Sequence, residues 1–369
     1  MNIKGNIRYI VTGSVIFLSI YMFVAAIPIG PDVSFHPVWT RDLGAAPPLA
    51  PADGDKHESV QTDTLKRPDL EPFALGDRFG YFLPDGKIVG SSRTAARSSV
   101  SRIGWTVYGE SARDTAVYSP DGSLRMTVLG SGFVHLDGDR TYLFLPGGDA
   151  VSRITTGGKA AWTREHTAPI TAFNSSPAGT VIGYADGMLA CVRADGSEAF
   201  SFYPGGSDTE IILGAAISED GSLVACVSGI DRQRFLLVSV SEGQYKVTFH
   251  AWLEGNVREQ AFVDFEENGA YAFFQTAKGL GIADTKRRTV EIVPIEGRIR
   301  AAGECPGDAL FVVLSETDGA YALSAIERPN HLVARMAFRA KDAFLVQRGT
   351  AVYLGVDDRI SRIDIRGVQ

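Results

Sequence analysis

ITAFNSS (Ile170–Ser176), TVIGYADG (Thr180–Gly187), MLACVRADG (Met188–Gly196) and SEAFSFYPGG (Ser197–Gly206) are four consecutive short runs, each mainly apolar, punctuated by Asp186-Gly187 and Asp195-Gly196. Asp-Gly tolerates the positive φ that a tight hairpin demands, so each join reads as an antiparallel reversal. Ile212–Ser218, Leu223–Val227, Leu236–Val240 and Tyr245–Phe249 repeat the same order of four strands.

Working outward, the third strand of this unit recurs with starts at Phe79, Thr115, Val151, Leu189, Leu236, Leu280, Tyr321 and Ile360, an interval of roughly 40 residues each time, the period of propeller blades. Asp85-Gly86, Asp121-Gly122, Asp137-Gly138, Asp220-Gly221, Asn268-Gly269 and Asp318-Gly319 supply further hairpin turns. The second strands Tyr142–Leu145, Ala272–Phe274, Phe311–Leu314 and Val352–Leu354 are apolar on consecutive residues. A strand of that kind is buried on both faces, as it is in a blade packed between two blades and is not in an open sandwich. No stretch after residue 30 keeps helical apolar spacing for three turns. The fold class expected is therefore all-β, a β-propeller over residues 76–369. Eight starts make seven intervals, and Phe79–Gly86 with Lys87–Ser91 look like outer strands lacking inner ones. Ala343–Gln347, Thr350–Gly355 and Ile360–Ile365 would supply those inner strands, giving seven four-stranded blades with one shared by the two chain ends.

The N-terminal 75 residues differ in character. Residues 1–8 carry Lys4 and Arg8, and Tyr9–Ile29 then runs 21 residues without a charge, about 31 Å as a helix and enough for a bilayer core. The expectation is one transmembrane signal anchor at 9–29, with the short N-terminus cytoplasmic by the positive-inside rule and the rest on the extracytoplasmic, periplasmic side of the inner membrane. The rival reading is a signal peptide cleaved after Ala26, giving a secreted protein, although the apolar run exceeds the usual signal core. Residues 30–75 carry Pro31, Pro37, Pro47, Pro48, Pro51, Pro68 and Pro72 and read as a stiff tether. Within it Phe35 and Trp39 are out of character, which suits docking at the membrane interface or on the propeller, or a partner-binding peptide.

Composition excludes several functions. The chain of 369 residues has a net charge of −7 and gives no basic footprint for nucleic acid. Cys191, Cys226 and Cys305 form no C-x-x-C pair, so zinc is unsupported and the three read as small buried hydrophobes, with one disulfide open. The six histidines, His36, His57, His135, His166, His250 and His331, are dispersed, with neither H-E-x-x-H nor His-x-His spacing. G-x-S-x-G, G-x-x-x-x-G-K-[ST] and G-x-G-x-x-G are all missing. Two acidic groups, Asp264 with Glu266 and Glu267, and Asp357-Asp358, offer hard oxygens of the kind calcium takes, yet both lie by turns where solvated carboxylates are ordinary. Lys286-Arg287-Arg288 reads as a polar hairpin tip able to grip an acidic partner. No catalytic, cofactor-binding or metal residue is assigned, and no cofactor is expected.

Gly157-Gly158-Lys159-Ala160-Ala161-Trp162, Gly183–Leu189 and Asp195–Phe200 resemble the repeat of quinoprotein-like propellers. In that family a Gly-Lys-x-x-Trp end of the fourth strand locks neighbouring blades; Trp162 fits, and Phe200 matches in part. The Trp-Asp signature of WD40 blades is missing, so the chain is WD40-like in architecture only. Dehydrogenases of the quinoprotein-like group use adjacent cysteines and a calcium-bound quinone, and no adjacent cysteine pair exists here. The non-enzymatic relatives act as envelope scaffolds, for example in outer-membrane protein assembly. The resemblance thus implies a protein–protein interaction scaffold whose partners are envelope or membrane proteins. The alternative is a hydrolase, lyase or small-ligand binder working in the central channel, favoured if four or more polar residues converge there.

Overall fold

The computed structural model describes residues 12–19, 21, 33–51, 69–109, 113–241, 244–266, 268–305, 310–348 and 351–367. Its strands form eight separate antiparallel sheets. Taking them as blades in chain order, blade 1 is Glu71–Leu75, Arg78–Phe82 and Ile88–Arg93, and blade 2 runs from Arg97 to Ser131. Blade 3 covers Phe133–Glu165, blade 4 Ile170–Phe202, blade 5 Ile212–Trp252, blade 6 Val263–Val293 and blade 7 His331–Arg339 with the three strands before it from Arg298. Blade 8 consists of Ala343–Arg348, Ala351–Val356 and Arg359–Arg366, with Ser34–Asp42 as its outermost strand.

The seven-blade expectation is corrected to eight, and the reason is physical. Each of the eight strand starts belongs to its own blade. Phe79 and its neighbours have an inner strand after all, Glu71–Leu75, paired from Glu71 with Phe82 to Leu75 with Arg78; Pro68 and Pro72 disguised it as linker. The C-terminal three strands take their fourth from Ser34–Asp42, in register from Ser34 opposite Arg366 to Asp42 opposite Arg359. The blade shared by the chain ends is real, but its N-terminal strand comes from the proline-rich segment. Pro37 fits at the outer edge because it owes no hydrogen bond to a further strand, and the register shifts beside it.

The expected membrane-spanning helix is also corrected. Of Tyr9–Ile29 only residues 12–19 and 21 are described, and these are helical. Among the described residues no helix is long and apolar enough to cross a membrane, and the rest of the segment lies outside the described residues.

Blade 1 has three strands, and parity makes it run backwards. A four-stranded blade begins and ends on the same face of the ring, so the chain passes to the next inner strand without crossing the channel. A three-stranded blade must begin on the opposite face. Glu71 accordingly lies beside Arg348, at the end of the inner strand of blade 8, while Gly76 N donates to Asp342, just before that strand begins, at 2.6 Å. On the outer edge of blade 1, Ser91 N donates to Pro47 O at 2.9 Å, and Leu49 N and O both bond the Ser92 hydroxyl. Residues 47–49 thus cover an edge left open by the missing fourth strand.

The core lies between blades. One cluster joins Val181, Leu189 and Cys191 of blade 4 to Ile217, Val224 and Leu236 of blade 5, all buried; another joins Phe73 and Phe82 of blade 1 to Tyr353 and Ile360 of blade 8 around the fully buried Leu43. Trp162, on the outer strand of blade 3, lies against Gly196 of the next blade so closely that an added Cβ would come within 2.7 Å of it. Trp39, on the outer strand of blade 8, sits in the same way on Gly86 of blade 1, within 2.9 Å, and its Nε1 donates to Pro84 O at 3.3 Å. Both glycines have φ near +90°, so the Asp-Gly turn supplies the reversal and the landing site for the ring at once.

Candidate functional site: the central channel

Eight inner strands surround the channel. Calling the face where those of blades 2–8 begin the front and the other the back, a cavity of about 450 Å³ opens at the front and one of about 440 Å³ at the back. Gln260, Arg298, Arg300 and Asp342 are the polar residues lining the front cavity. The back cavity lies between blades 6, 7 and 8 and is lined by Asp264, Glu266, Glu304, Gln347 and Arg348, with Phe265, Phe273, Leu345 and Val346 as apolar wall. A groove of about 1130 Å³ between blades 6 and 7 at the front carries charges of both signs, among them Arg258, Glu259, Glu296 and Arg335, with Arg335 paired to Glu296 at 3.4 Å.

At the back of the channel ion pairs gather at strand ends, some within a blade and some between blades. Glu71, almost fully buried, accepts at one oxygen from Arg102 (2.7 Å) and Arg348 (2.8 Å), tying blade 1 to blades 2 and 8. Arg140 donates through Nε to Ser175 Oγ at 2.9 Å and pairs with Asp137 at 3.3 Å, and the Ser175 hydroxyl donates to the same carboxylate. Arg328 pairs with Glu266 at 3.2 Å and with Glu304, and its guanidinium lies 5.0 Å from the Tyr271 ring centroid and 4.9 Å from that of Phe311. Burial pushes the Glu266 carboxyl up, against the pull of Arg328. Asp264 differs from the others. Burial raises it to about 6, Asp137 across the channel adds to the rise, and only the backbone N–H of Phe265 opposes them. Among the described residues it has no ion pair.

Of the acidic groups noted in the sequence, Asp264, in the inner strand of blade 6, and Glu266, just after it, line the back cavity, while Glu267 lies outside the described residues. Among the described residues no group of three metal-ligating side chains comes together. Asp357-Asp358 serves the seam between blades 8 and 1. Asp358 accepts from Arg78 (3.0 Å) and Arg93 (3.2 Å), and those hydrogen bonds hold its carboxyl below the usual range. Asp357 accepts from Lys341 N at 2.7 Å. Lys286-Arg287-Arg288 is an exposed turn whose backbone is fixed by Asp284. The three cysteines are buried, and burial pushes Cys191 and Cys226 up to about 12, which leaves those two no thiolate to react.

The histidines are scattered too. His166 bonds Asp186 at 2.6 Å, and Tyr203 donates to the same carboxylate at 3.2 Å; among the described residues no serine or cysteine completes this pair into a nucleophile relay. His135, on the inner strand of blade 3, meets Phe173 edge-on at 5.9 Å, and burial lowers its pKa against the pull of Asp137. His57 lies outside the described residues. Glu71, Glu304, Arg328 and Arg348 were not singled out from sequence. Glu71 belongs to blade 1, Glu304 and Arg328 to blade 7 and Arg348 to blade 8, each at or beside a strand end and far apart in sequence, so no local spacing announces the cluster.

A closed ring of eight sheets whose inner strands enclose a polar channel defines a β-propeller. The chain belongs to the beta-propeller protein family, whose model matches residues 1–369. It is 42% identical over 368 residues to an uncharacterized protein of Treponema pallidum (strain Nichols), covering 100% of this chain and 97% of that one. Among solved structures it is similar to BamB from Moraxella catarrhalis, with a TM-score of 0.62 at 11% identity over 90% of this chain and 100% of that one. It is also similar to the computationally designed Ika8 protein (TM-score 0.57, 13% identity, 82% and 98% covered) and to a chain of a Mitotic Checkpoint Complex (0.54, 13%, 85% and 96%). At such identities these structures establish the fold alone.

Proposed function

We propose that this propeller is a protein-binding scaffold of the cell envelope, acting by geometry. The observation that carries this reading is an aromatic and cationic patch on the rim of blades 4 and 5. Trp252, Tyr203, Tyr245 and Val247 are all large and exposed. Tyr245 stacks on Phe200 at 4.9 Å and Phe202 at 5.3 Å, and the guanidiniums of Arg232 and Arg234 lie 4.7 and 5.4 Å from the Trp252 ring. Trp, Tyr and Arg on a rigid base are the residues that dominate protein interfaces. They sit beside Gln244–Trp252, a nine-residue outer strand with a free edge. The apolar, uncharged Tyr9–Ile29 after Lys4 and Arg8 supports export to the envelope. Crosslinking the tagged full chain in intact cells, with fractionation of the envelope, tests both parts. A stoichiometric partner captured from the envelope fraction by the wild type and lost in Tyr245→Ala/Trp252→Ala is the expected result; a folded bait that captures nothing, or a capture that the double variant leaves unchanged, sinks the assignment of this patch.

One specific observation favours a second reading, a small-ligand-binding channel. Five polar side chains converge in the back cavity, and its volume falls within the roughly 300–1,000 Å³ of small-molecule sites.

A further inference from the structure

We infer that the propeller sits on an anionic lipid surface with its back face toward the lipid, tilted so that blades 6 to 8 lie nearest. This rests on the envelope reading above and adds which face meets the membrane and what holds it there. The direction of the N-terminal strand decides the face. Ser34 pairs with Arg366 and Asp42 with Arg359. Arg359–Arg366 runs from front to back, so the chain enters the ring at the back of blade 8. Four residues lead from Ile29, the end of the uncharged run, to Val33, and a chain of that length reaches at most about 14 Å however it is arranged. Residues 30–75 are thus no long tether, because the first strand within them already belongs to blade 8.

The described part of the uncharged run suits a lipid environment. Val15, Ile16, Phe17 and Leu18 are each more than half exposed, and four consecutive helical residues point round the whole axis. Docking one face on the propeller would leave the other sides in water, whereas hydrocarbon covers all of them.

Charge on the back face sets the tilt. Lys286, Arg287 and Arg288 form the back turn between the third and outer strands of blade 6, and all three are exposed. Asp284 accepts from the backbone N–H groups of Lys286 and Arg287 at 3.0 and 2.7 Å, which stiffens the turn, and it lies 3.8 Å from the Arg287 guanidinium. Lys286 and Arg288 make no ion pair among the described residues, nor does Arg366, beside the point of entry. The back turns of blades 2, 4 and 5 are acidic instead, with Asp121, Asp195 and Asp220 each accepting from the N–H of a following serine. Anionic headgroups attract every Lys or Arg held near them and repel carboxylates, so the sector of blades 6 to 8 is drawn down. That posture turns the front rim, with Trp252, Arg232 and Arg234, away from the lipid and toward a protein partner.

The test places a donor dye on Asn330→Cys at the back of blade 7, on Glu219→Cys at the back of blade 5, or on Asn256→Cys at the front, all exposed positions, the native cysteines being buried. The full chain is reconstituted from detergent into phosphatidylcholine vesicles with about 30 mol% phosphatidylglycerol and an acceptor-labelled lipid, and energy transfer is read after flotation. Transfer should be strongest from Asn330→Cys, weaker from Glu219→Cys and weakest from Asn256→Cys. The gap between the first two should at least halve in pure phosphatidylcholine, and again in the Lys286→Gln/Arg287→Gln/Arg288→Gln protein, whose changes lie in an exposed turn. Strongest transfer from Asn256→Cys, or equal transfer from all three, would overturn the orientation, and an unchanged gap in the triple variant would overturn the role of the basic turn. A folded chain that does not float with the vesicles removes the lipid surface altogether. A failed crosslinking capture leaves the orientation standing, and a front face turned to lipid leaves a captured partner standing, so the two readings fail separately.

Discussion

Asp264 shows how burial by a ring differs from burial by a core. Its carboxyl faces a channel and is still surrounded by protein, so it loses hydration without gaining a cation, and its folded-state pKa of about 6 stands well above the ordinary value of 3.8. The folded chain therefore holds the proton more tightly than the unfolded one. Below about pH 3 both states are protonated and the residue costs nothing. As pH rises from about 4 to about 6 the unfolded state ionises first and stability is lost, by about 3 kcal/mol at the plateau above pH 6. Asp264→Asn should thus stabilise the ligand-free protein by an amount of that order at pH 7.5 and hardly at all at pH 4. Denaturant unfolding at the two pH values checks this, and an equal effect at both would show that desolvation of the carboxylate is not the cause.

At the scale of the element, the blades are joined by aromatic residues landing on Asp-Gly turns. Trp162 lands on Gly196, and Trp39 on Gly86 makes the same contact across the seam where the ring closes. Trp39 lies 6.0 Å from the Tyr353 ring, so it also covers the outer side of blade 8. Trp39→Ala and Trp162→Ala should each destabilise by about 1–3 kcal/mol, below the cost of a fully buried Trp because both rings are partly exposed. Placing a side chain at the landing site, as in Gly196→Val, should cost at least as much, since it adds a positive-φ penalty to a steric one. Thermal melts of the three variants compare these terms directly; a wild-type melt for Gly196→Val would refute the docking account.

For the whole molecule, closure is the property on which stability turns. Ser34–Asp42 completes blade 8, Leu43 fills the seam behind it with its N–H donating to Asp358 O at 2.9 Å, and Asp358 spans to Arg78 and Arg93 of blade 1. Replacing residues 34–46 with a flexible Gly/Ser segment should lower the melting temperature by several degrees and leave Arg359–Arg366 as an open edge. Such an edge recruits other chains, so light scattering should detect concentration-dependent oligomers. An unchanged melt together with a monomer would mean that the N-terminal strand is not needed for closure.

The residues themselves determined the repeat. Short apolar strands, doubly apolar second strands and Asp-Gly turns are local signals, and eight strand starts were visible because each depends on only a few neighbouring residues. Blade count was misread where local signals mislead: Pro68 and Pro72 flank or enter a true inner strand, and Pro37 lies in the true outer strand of blade 8, which is allowed only because one side of each is spared hydrogen bonding. Trp162 was legible as a lock because it sits in a Gly-Lys-x-x-Trp context; Trp39 makes the same contact without that context and was not. The channel was beyond any local reading. Asp264 and Glu266 looked like solvated turn carboxylates, and their partners and neighbours, Arg328, Glu304 and Arg348, lie on other strands. Sequence fixes what each strand buries, because that is set by side-chain alternation; only closure of the ring decides which charges meet in its centre, because that meeting depends on the order and direction of eight separate sheets.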